Sequence, residues 1–333
     1  MTAPGVPAPR PFTRLERTAR GLLSANAAPV FAVLVVIYLV ASLVLSRTGQ
    51  GIDVSSVLVR SVGLGIVAAG QTLVILAGSI DLSVAFLISV SATYASFIMQ
   101  GDPGRQALGV GVVVVIGLLV GLVNGLTITK LHVNAFIATL GMGFILSGVL
   151  NASFNDFAGA VPREFQDAVA YGSIGGIATP IILLLLVFTL AWVLLRFTPL
   201  GHHIYAVGGS AETARLSGVR SDRTIIAAHV LCALTAVLSG LFIVARIRAG
   251  APWVGPDSHY DLESIAAVVV GGTALSGGRG GVWGTLAGVV ILAILDSIFN
   301  SLQFNEFLQN VARGVIIIGA VGIYAYRERR VLR

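Results

Sequence analysis

Apolar residues in this chain come in long blocks separated by short polar interruptions. The blocks lie near 28–46, 55–77, 82–99, 107–128, 135–152, 177–195, 224–245, 264–276, 281–302 and 311–326. Several approach the ~20 residues that a helix needs to cross ~30 Å of hydrocarbon. A membrane β-barrel would instead show ~10-residue alternating strands. The pattern predicts an all-α polytopic membrane protein with about ten transmembrane helices. The 82–99 block is short and polar-flecked, and 264–276 is too short to cross alone. Interrupted segments are therefore expected in the second and eighth regions.

Composition identifies the solvent. Hydrophobic residues make up 56% of 333, charged residues only 11%, and mean hydropathy is +0.93. A soluble chain carries roughly 25% charge, and so much apolar surface could not all be hidden in a soluble core. Residues 1–27 form a polar tail bearing Arg10, Arg14, Arg17 and Arg20. It has no apolar core of its own, and the first block is long enough to remain as a span, so no cleaved signal is expected. Residues 1–9 read as disordered. The transmembrane domain is expected at 28–326, and 327–333 is a basic tail.

The placement of charge suggests an orientation. Ten crossings put both ends on one side, and both ends are basic, the last through Arg327, Arg329, Arg330 and Arg333. The loop 196–223 adds Arg196, Arg215, Arg220 and Arg223, and Lys130 and Arg279 fall in short loops on the same side. The opposite loops hold Asp102, Asp156, Glu164, Asp167, Asp257, Asp261 and Glu306. The positive-inside rule then places both termini in the cytoplasm. Lipid headgroups and topology account for the basic pI without nucleic-acid binding. The outer acids could steer a soluble partner.

Several chemistries are missing. The single lysine, Lys130, follows Thr129, so no G-x-x-x-x-G-K-[ST] exists. The glycine-rich "GGTALSGGRGGVWG" (271–284) follows no βαβ pattern, which makes a phosphate cradle there a poor fit. The five histidines form no H-E-x-x-H, and adjacent His202 and His203 point apart on a helix. No Ser/His/Asp arrangement is legible, and Cys232 stands alone, so it reads as packing. No metal, cofactor or catalysis of its own is expected.

Glycine rows mark close packing. Gly117, Gly121 and Gly125 recur every four residues, as do Gly280, Gly284 and Gly288. Each row would form a flat stripe on one helix face, where a neighbouring backbone can approach.

The loop "PLGHHIYAVGGSAETARLSGVRSDR" (199–223) is helix-compatible in its middle. Ser210 suits an N-cap, Glu212 the first turn and Gly218 a stop. The spacing predicts a short helix with Ala211, Ala214 and Leu216 turned down and Glu212 and Arg215 turned out. It reads either as a capped surface helix or as a peg for a groove on a soluble partner.

At this loop the chain resembles a family. "YAVGGSAETARLSGV" is similar to the coupling-helix region of inner-membrane permeases of ABC importers, in the ribose-type sugar permease family. Thr213 replaces the Ala at the second position of that family's E-A-A-x-x-x-G signature, which continues in Ala214 and Gly218. "GQTLVILAGSIDLSV" (70–84), "GLVNGLTITKLHVNAFIATLGM" (121–142), "ESIAAVVVGGTALSGGRGGVWGTLAG" (263–288) and "FLQNVARGVIII" (307–318) resemble further family blocks in the same order. The resemblance spans about 55–326. It implies an ABC-importer permease fold, with Ser210, Glu212, Ala214, Arg215 and Gly218 coupling to two cytoplasmic ABC ATPase subunits. It also implies a second permease subunit, identical or paralogous, and a periplasmic solute-binding protein that delivers a monosaccharide or related polyol. Ser79 and Ala85 stand where the family usually has glycine, a stiffening of the turn.

One stretch poses a question of its own. In "AAGQTLVILAGSIDLSVAFLISV" (68–90), Gly78-Ser79 break an apolar run and Asp81 follows. A carboxylate within a membrane costs at least ~2.5 kcal/mol at the bilayer centre, so it faces protein or water. Asp81 either caps the next helix or lies with Gly78, Ser79, Ser83, Asn124 and Thr139 along a translocation path or gate. Gly78-Ser-Ile-Asp-Leu-Ser83 faintly echoes Gly271-Gly-Thr-Ala-Leu-Ser276, as internal repeats do. Ser147, Asn151 and Asn300 could bond a hydroxylated solute or bridge helices, and Asp296 could pair with Arg313. The alternative to an ATP-driven permease is an ion- or proton-coupled carrier, for which Asp81 and Asp296 are the support. A membrane-embedded enzyme is the third.

Overall fold

The computed structural model describes residues 27–46 and 53–305, with positions 307–312, 314–315, 318–319 and 322 beyond them. Its principal helices are α1 (Ala27–Ser46), α2 (Val54–Leu76), α3 (Val84–Met99), α4 (Gln106–Lys130), α5 (Ala135–Ser153) and α6 (Thr179–Phe197). They continue as α7 (Pro199–Gly209), α8 (Ala211–Leu216), α9 (Ser221–Ile247), α10 (Tyr260–Val270) and α11 (Val282–Ser301). Nine of the ten apolar blocks are helices with ends close to those expected, apart from the shorter α10. The tenth, 311–326, lies largely outside the described residues, as do the arginines of both tails and Arg313. Among the described residues, six helices are long and apolar enough to cross a membrane. The chain is an all-α, multi-pass membrane protein, with one two-stranded hairpin, β1 (Ser173–Ile174) and β2 (Ile177–Ala178).

Burial sorts the helices into an inner and an outer layer. In α2, 83% of the most apolar stretch is buried, against 22% in α5. α2 and α9 form the centre, and α4 and α5 present leucine, isoleucine and phenylalanine outward. Such a surface would be unstable in water and is neutral in lipid.

The connections define two faces. On one, Gly101 N–H donates to Ala160 O, Ala158 bridges Gly250, and the Tyr171 hydroxyl donates to Arg246 O. The other face carries α7, α8, the 131–134 turn and the breaks at 77–83 and 271–281. There Gly278 N–H donates to Leu76 O, and the Tyr205 hydroxyl donates to Gly280 O.

The two glycine rows behave differently. Gly117, Gly121 and Gly125 of α4 lie against α9. A Cβ on Gly121 would sit 2.6 Å from Val230 Cα, and one on Gly125 2.7 Å from Ile226 Cα. In the second row, Gly284 and Gly288 of α11 abut Gly271 O and Ala267 O. Gly280 is not part of that stripe. It precedes the helix, has φ +131°, and lies against Thr273.

Gly121→Ala forces backbone apart and is expected to cost about 1–3 kcal/mol. Gly141→Ala, with nothing within 4 Å of its added carbon, is the control. Melting of the purified protein in detergent should fall clearly for the first and not for the second.

Candidate functional site

The break after α2 begins with a glycine turn. Gly78 has φ +78°, Gly78 N–H donates to Ile75 O, and Ser79 N–H reaches Val74 O. This is a Schellman ending, in which a left-handed glycine lets the last carbonyls find donors. α3 starts at Val84, with Ser83 as an N-cap that makes no side-chain capping bond. Asp81 therefore does not cap the helix directly, as one expectation had it. Its carboxylate stands two residues before the cap and accepts from Ser83 N–H at 2.9 Å.

The rest of the Asp81 environment comes from far along the chain. Oδ1 also accepts the Ser83 hydroxyl at 2.6 Å. Oδ2 lies 3.0 Å from His229 Nδ1 on α9 and accepts from Asn124 Nδ2 on α4 at 3.3 Å. A carboxylate offers about four acceptor sites, and four donors occupy them. Asn124 also donates to the Ser83 hydroxyl at 2.9 Å. His229 Nε2 lies 2.9 Å from the Ser79 hydroxyl, so the serine that replaces the family's glycine is engaged. Thr139 Oγ1 on α5 accepts from Leu82 N–H and donates to Ala135 O. Asp81, His229 and Thr139 are fully buried, and Ser79, Ser83 and Asn124 nearly so. In this conformation the cluster is closed to solvent, while Gly78 is exposed.

His229 is the member that sequence reasoning missed. The signal was a lone imidazole inside an apolar span, which needs a buried partner. Ser147 and Asn151 pair with each other in an exposed contact, outside this cluster. Asp257, Asp296 and Asn300 sit toward the opposite face.

α10 ends in the same way as α2. Gly272 has φ +85°, Gly272 N–H donates to Val269 O, and Thr273 N–H reaches Val268 O. The structural counterpart of Gly78 is thus Gly272, one residue later than the sequence echo placed it. Contacts within the rest of this break include Gly281 N–H to Thr273 Oγ1, and Arg279 engages a further group.

Both breaks meet the end of α7. A Cβ on Gly208 would fall 1.8 Å from Leu76 O and 2.6 Å from Gly278 N. A Cβ on Gly277 would lie 3.0 Å from Gly78 Cα and 2.8 Å from Gly208 O. Three backbones are in contact at one point, which only glycine permits. Tyr205, one turn earlier, holds the second break through Gly280 O. Burial pushes its phenol above the ordinary value, partly opposed by the Arg196 charge, so it remains a donor.

Beyond α7 the chain projects as a short hook. Ser210 Oγ accepts from Thr213 N–H and caps α8. Gly218, at φ +84°, ends it with Val219 N–H bonded to Ala214 O. Ala214 is buried, and Glu212 and Arg215 are exposed. Ala211 and Leu216 do not turn down as expected. Ala211 is exposed and Leu216 is 82% exposed, because α8 is too short to bury more than one position. Behind it, Lys130 pairs with Asp222, and a basic cleft of about 440 Å³ includes Arg215, Arg220 and Arg223.

Comparison with known proteins matches this chain to transport proteins. The family described as "Branched-chain amino acid transport system / permease component" matches residues 53–321. Ribose import permease protein RbsC of Escherichia coli (strain K12) is 38% identical over 262 residues, covering 77% of this chain and 80% of the relative. Its namesake in Bacillus subtilis (strain 168) is 37% identical over 268 residues, covering 79% and 82%. L-arabinose transport system permease protein AraH of Escherichia coli (strain K12) is 31% identical over 265 residues, covering 80% of each. No solved structure matches.

Removing one partner of a buried hydrogen-bonded carboxylate leaves polar groups unmatched and costs about 1–3 kcal/mol or more. Asp81→Ala and His229→Ala should each destabilise the protein on that scale. The double variant should cost much less than the sum. Unfolding of the four proteins in detergent measures the coupling, and simple additivity would show that the two side chains do not act together.

Proposed function

Since the chain belongs to the permease-component family of the branched-chain amino acid transport system, we propose that it is the membrane subunit of an ATP-driven importer for a pentose or a similar neutral sugar. The named relatives that import ribose and arabinose support the cargo class. One observation carries the mechanism: the exposed hook is continuous with α7, whose Gly208 touches both helix breaks at once.

The chain provides the gate, and the force comes from elsewhere. ATP hydrolysis belongs to two partner ATPases on the hook side, which is the cytoplasmic side. Leu216, Glu212 and Arg215 enter a groove on that partner, and the basic cleft behind them favours an acidic rim. When the ATPases close, α7 shifts, and Gly208 transmits the shift to residues 77–78 and 277–278 with no side chain between to absorb it. The Asp81 cluster keeps the first break intact while this happens, so Gly78 to Ser83 act as an anchored hinge. A second permease subunit completes the path, and a solute-binding protein docks on the opposite face.

Two measurements test this reading. Leu216→Asp should abolish copurification of the ATPase while the melting temperature of the permease stays the same. In proteoliposomes holding permease, ATPase and binding protein, Gly208→Val should reduce ribose uptake at least tenfold while the complex still assembles. Ribose accumulation by this chain alone, driven by an ion gradient without ATP, would establish the secondary carrier instead.

A further inference from the structure

A second polar site lies at the far end of α10 from the glycine contact. A cleft of about 310 Å³ opens there between α2, α10 and α11. Arg60 comes from α2, Asp257, Tyr260 and Glu263 come from the start of α10 and the turn before it, and Asp296 and Asn300 come from the end of α11. Tyr260, Glu263 and Asp296 are half-buried, and Arg60, Asp257 and Asn300 are exposed. Tyr260, Glu263 and Asp296 already engage other groups, which holds them in place. Most of the chain's outward surface in this zone is apolar, so this concentration of charge within helices is costly unless it serves a solute or water.

We propose that this cleft is the station at which the permease receives its solute, and that it selects a neutral polyhydroxylated molecule of monosaccharide size over anionic sugar derivatives. The proposal rests on the transport reading above and deepens it. Three aspects of the chemistry support it. The volume is at the lower end of the ~300–1,000 Å³ typical of small-molecule sites, which suits one sugar ring and excludes an oligosaccharide. Three carboxylates against one guanidinium leave a net negative lining, which repels sugar acids and sugar phosphates. Donors and acceptors are interleaved: the carboxylates accept, Arg60 only donates, and Asn300 and Tyr260 do both. A hydroxyl also does both, so a polyol can satisfy all of them. An ammonium ion has donors only and would leave the Arg60 and Asn300 N–H groups unmatched. A branched-chain amino acid would carry a carboxylate into the acidic lining.

The position fits delivery. The cleft opens on the face opposite the hook. From it, α10 runs 11 residues, or roughly 16 Å at 1.5 Å per residue, to the break that touches Gly208. Its floor and the driven end are thus parts of one short helix.

The test uses the purified full-length chain and, separately, the reconstituted importer. For the chain, the thermal shift produced by D-ribose is compared between the wild type and Glu263→Gln/Asp296→Asn, each also measured with ribonate and with putrescine. The double variant removes negative charge and keeps shape. The expected result is a ribose shift in the wild type that the variant loses at least tenfold in apparent affinity, with ribonate binding gained. A shift from putrescine that exceeds the ribose shift would overturn the selectivity, and identical ribose shifts in both proteins would overturn the site. In the importer, the same variant should change the ratio of ribonate inhibition to ribose uptake at least tenfold. A merely structural defect would lower uptake and leave that ratio unchanged, which counts against the cleft. Failure of the wild-type importer to move any pentose would defeat the transport reading alone, because the binding measurement on the chain decides the cleft independently.

Discussion

A helix that stops inside a membrane leaves backbone donors and acceptors with no water to take them, and each must find a partner in the protein. The structure is organised around that constraint. At the first break, a Schellman turn satisfies the end of α2, and the buried Asp81 carboxylate collects the neighbouring donors. The carboxylate is itself tolerable only because four donors saturate it. Three of them come from side chains: Ser83 of the break, Asn124 of α4 and His229 of α9. The polar cluster therefore ties α3, α4 and α9 to the interruption, with Thr139 adding α5. The cost of breaking the helix is met by connections between elements distant in sequence.

The glycine contact depends on the same break. Leu76 O is free to accept from Gly278 N–H because α2 ends there. Gly208 can reach both chains because no side chain intervenes at 78, 208 or 277. Such a junction resists compression, since displacing α7 brings it against backbone that has no rotamers to yield. Push is transmitted with little loss, whereas a leucine or methionine contact would absorb part of it by changing rotamer.

Much of this could be read from the chain, for identifiable reasons. Spans follow from continuous apolar blocks, and helix ends follow from Ser210, Gly218 and Gly78, whose local chemistry acts within four residues. Long-range partners were harder. Nothing near His229 announces Asp81, 148 residues away. The available signal was the cost of burying an imidazole alone. Arg60 is a similar case, the one charged residue in α2. At α8, Glu212, Ala214 and Arg215 were placed as found, but Ala211 and Leu216 were not, because six residues give too little periodicity to define a wide inner side. The echo between the breaks was read one residue out of register, because Gly271 and Gly272 look alike in sequence and only φ distinguishes them. Gly280 was misplaced for a related reason, since a spacing of four does not reveal that the helix begins two residues later.

The two breaks share a turn but differ in how they are held, and that difference has a mechanical consequence. The first is fastened by a saturated carboxylate, fully buried, and opening it would leave a charge and an imidazole without partners. The second has no carboxylate within it. Its fastenings include neutral hydrogen bonds, Gly278 N–H to Leu76 O, Tyr205 to Gly280 O and Gly281 N–H to Thr273 Oγ1, and Arg279 engages a further group. A neutral hydrogen bond contributes about 0.5–1.5 kcal/mol net, and a buried carboxylate stripped of its donors costs more. A displacement arriving at Gly208 meets a stiff neighbour on one side and a compliant one on the other. The compliant side leads directly into α10, which is short enough to tilt as a unit. If α7 is driven as proposed, the carboxylate anchor at Asp81 favours motion on the side of α10.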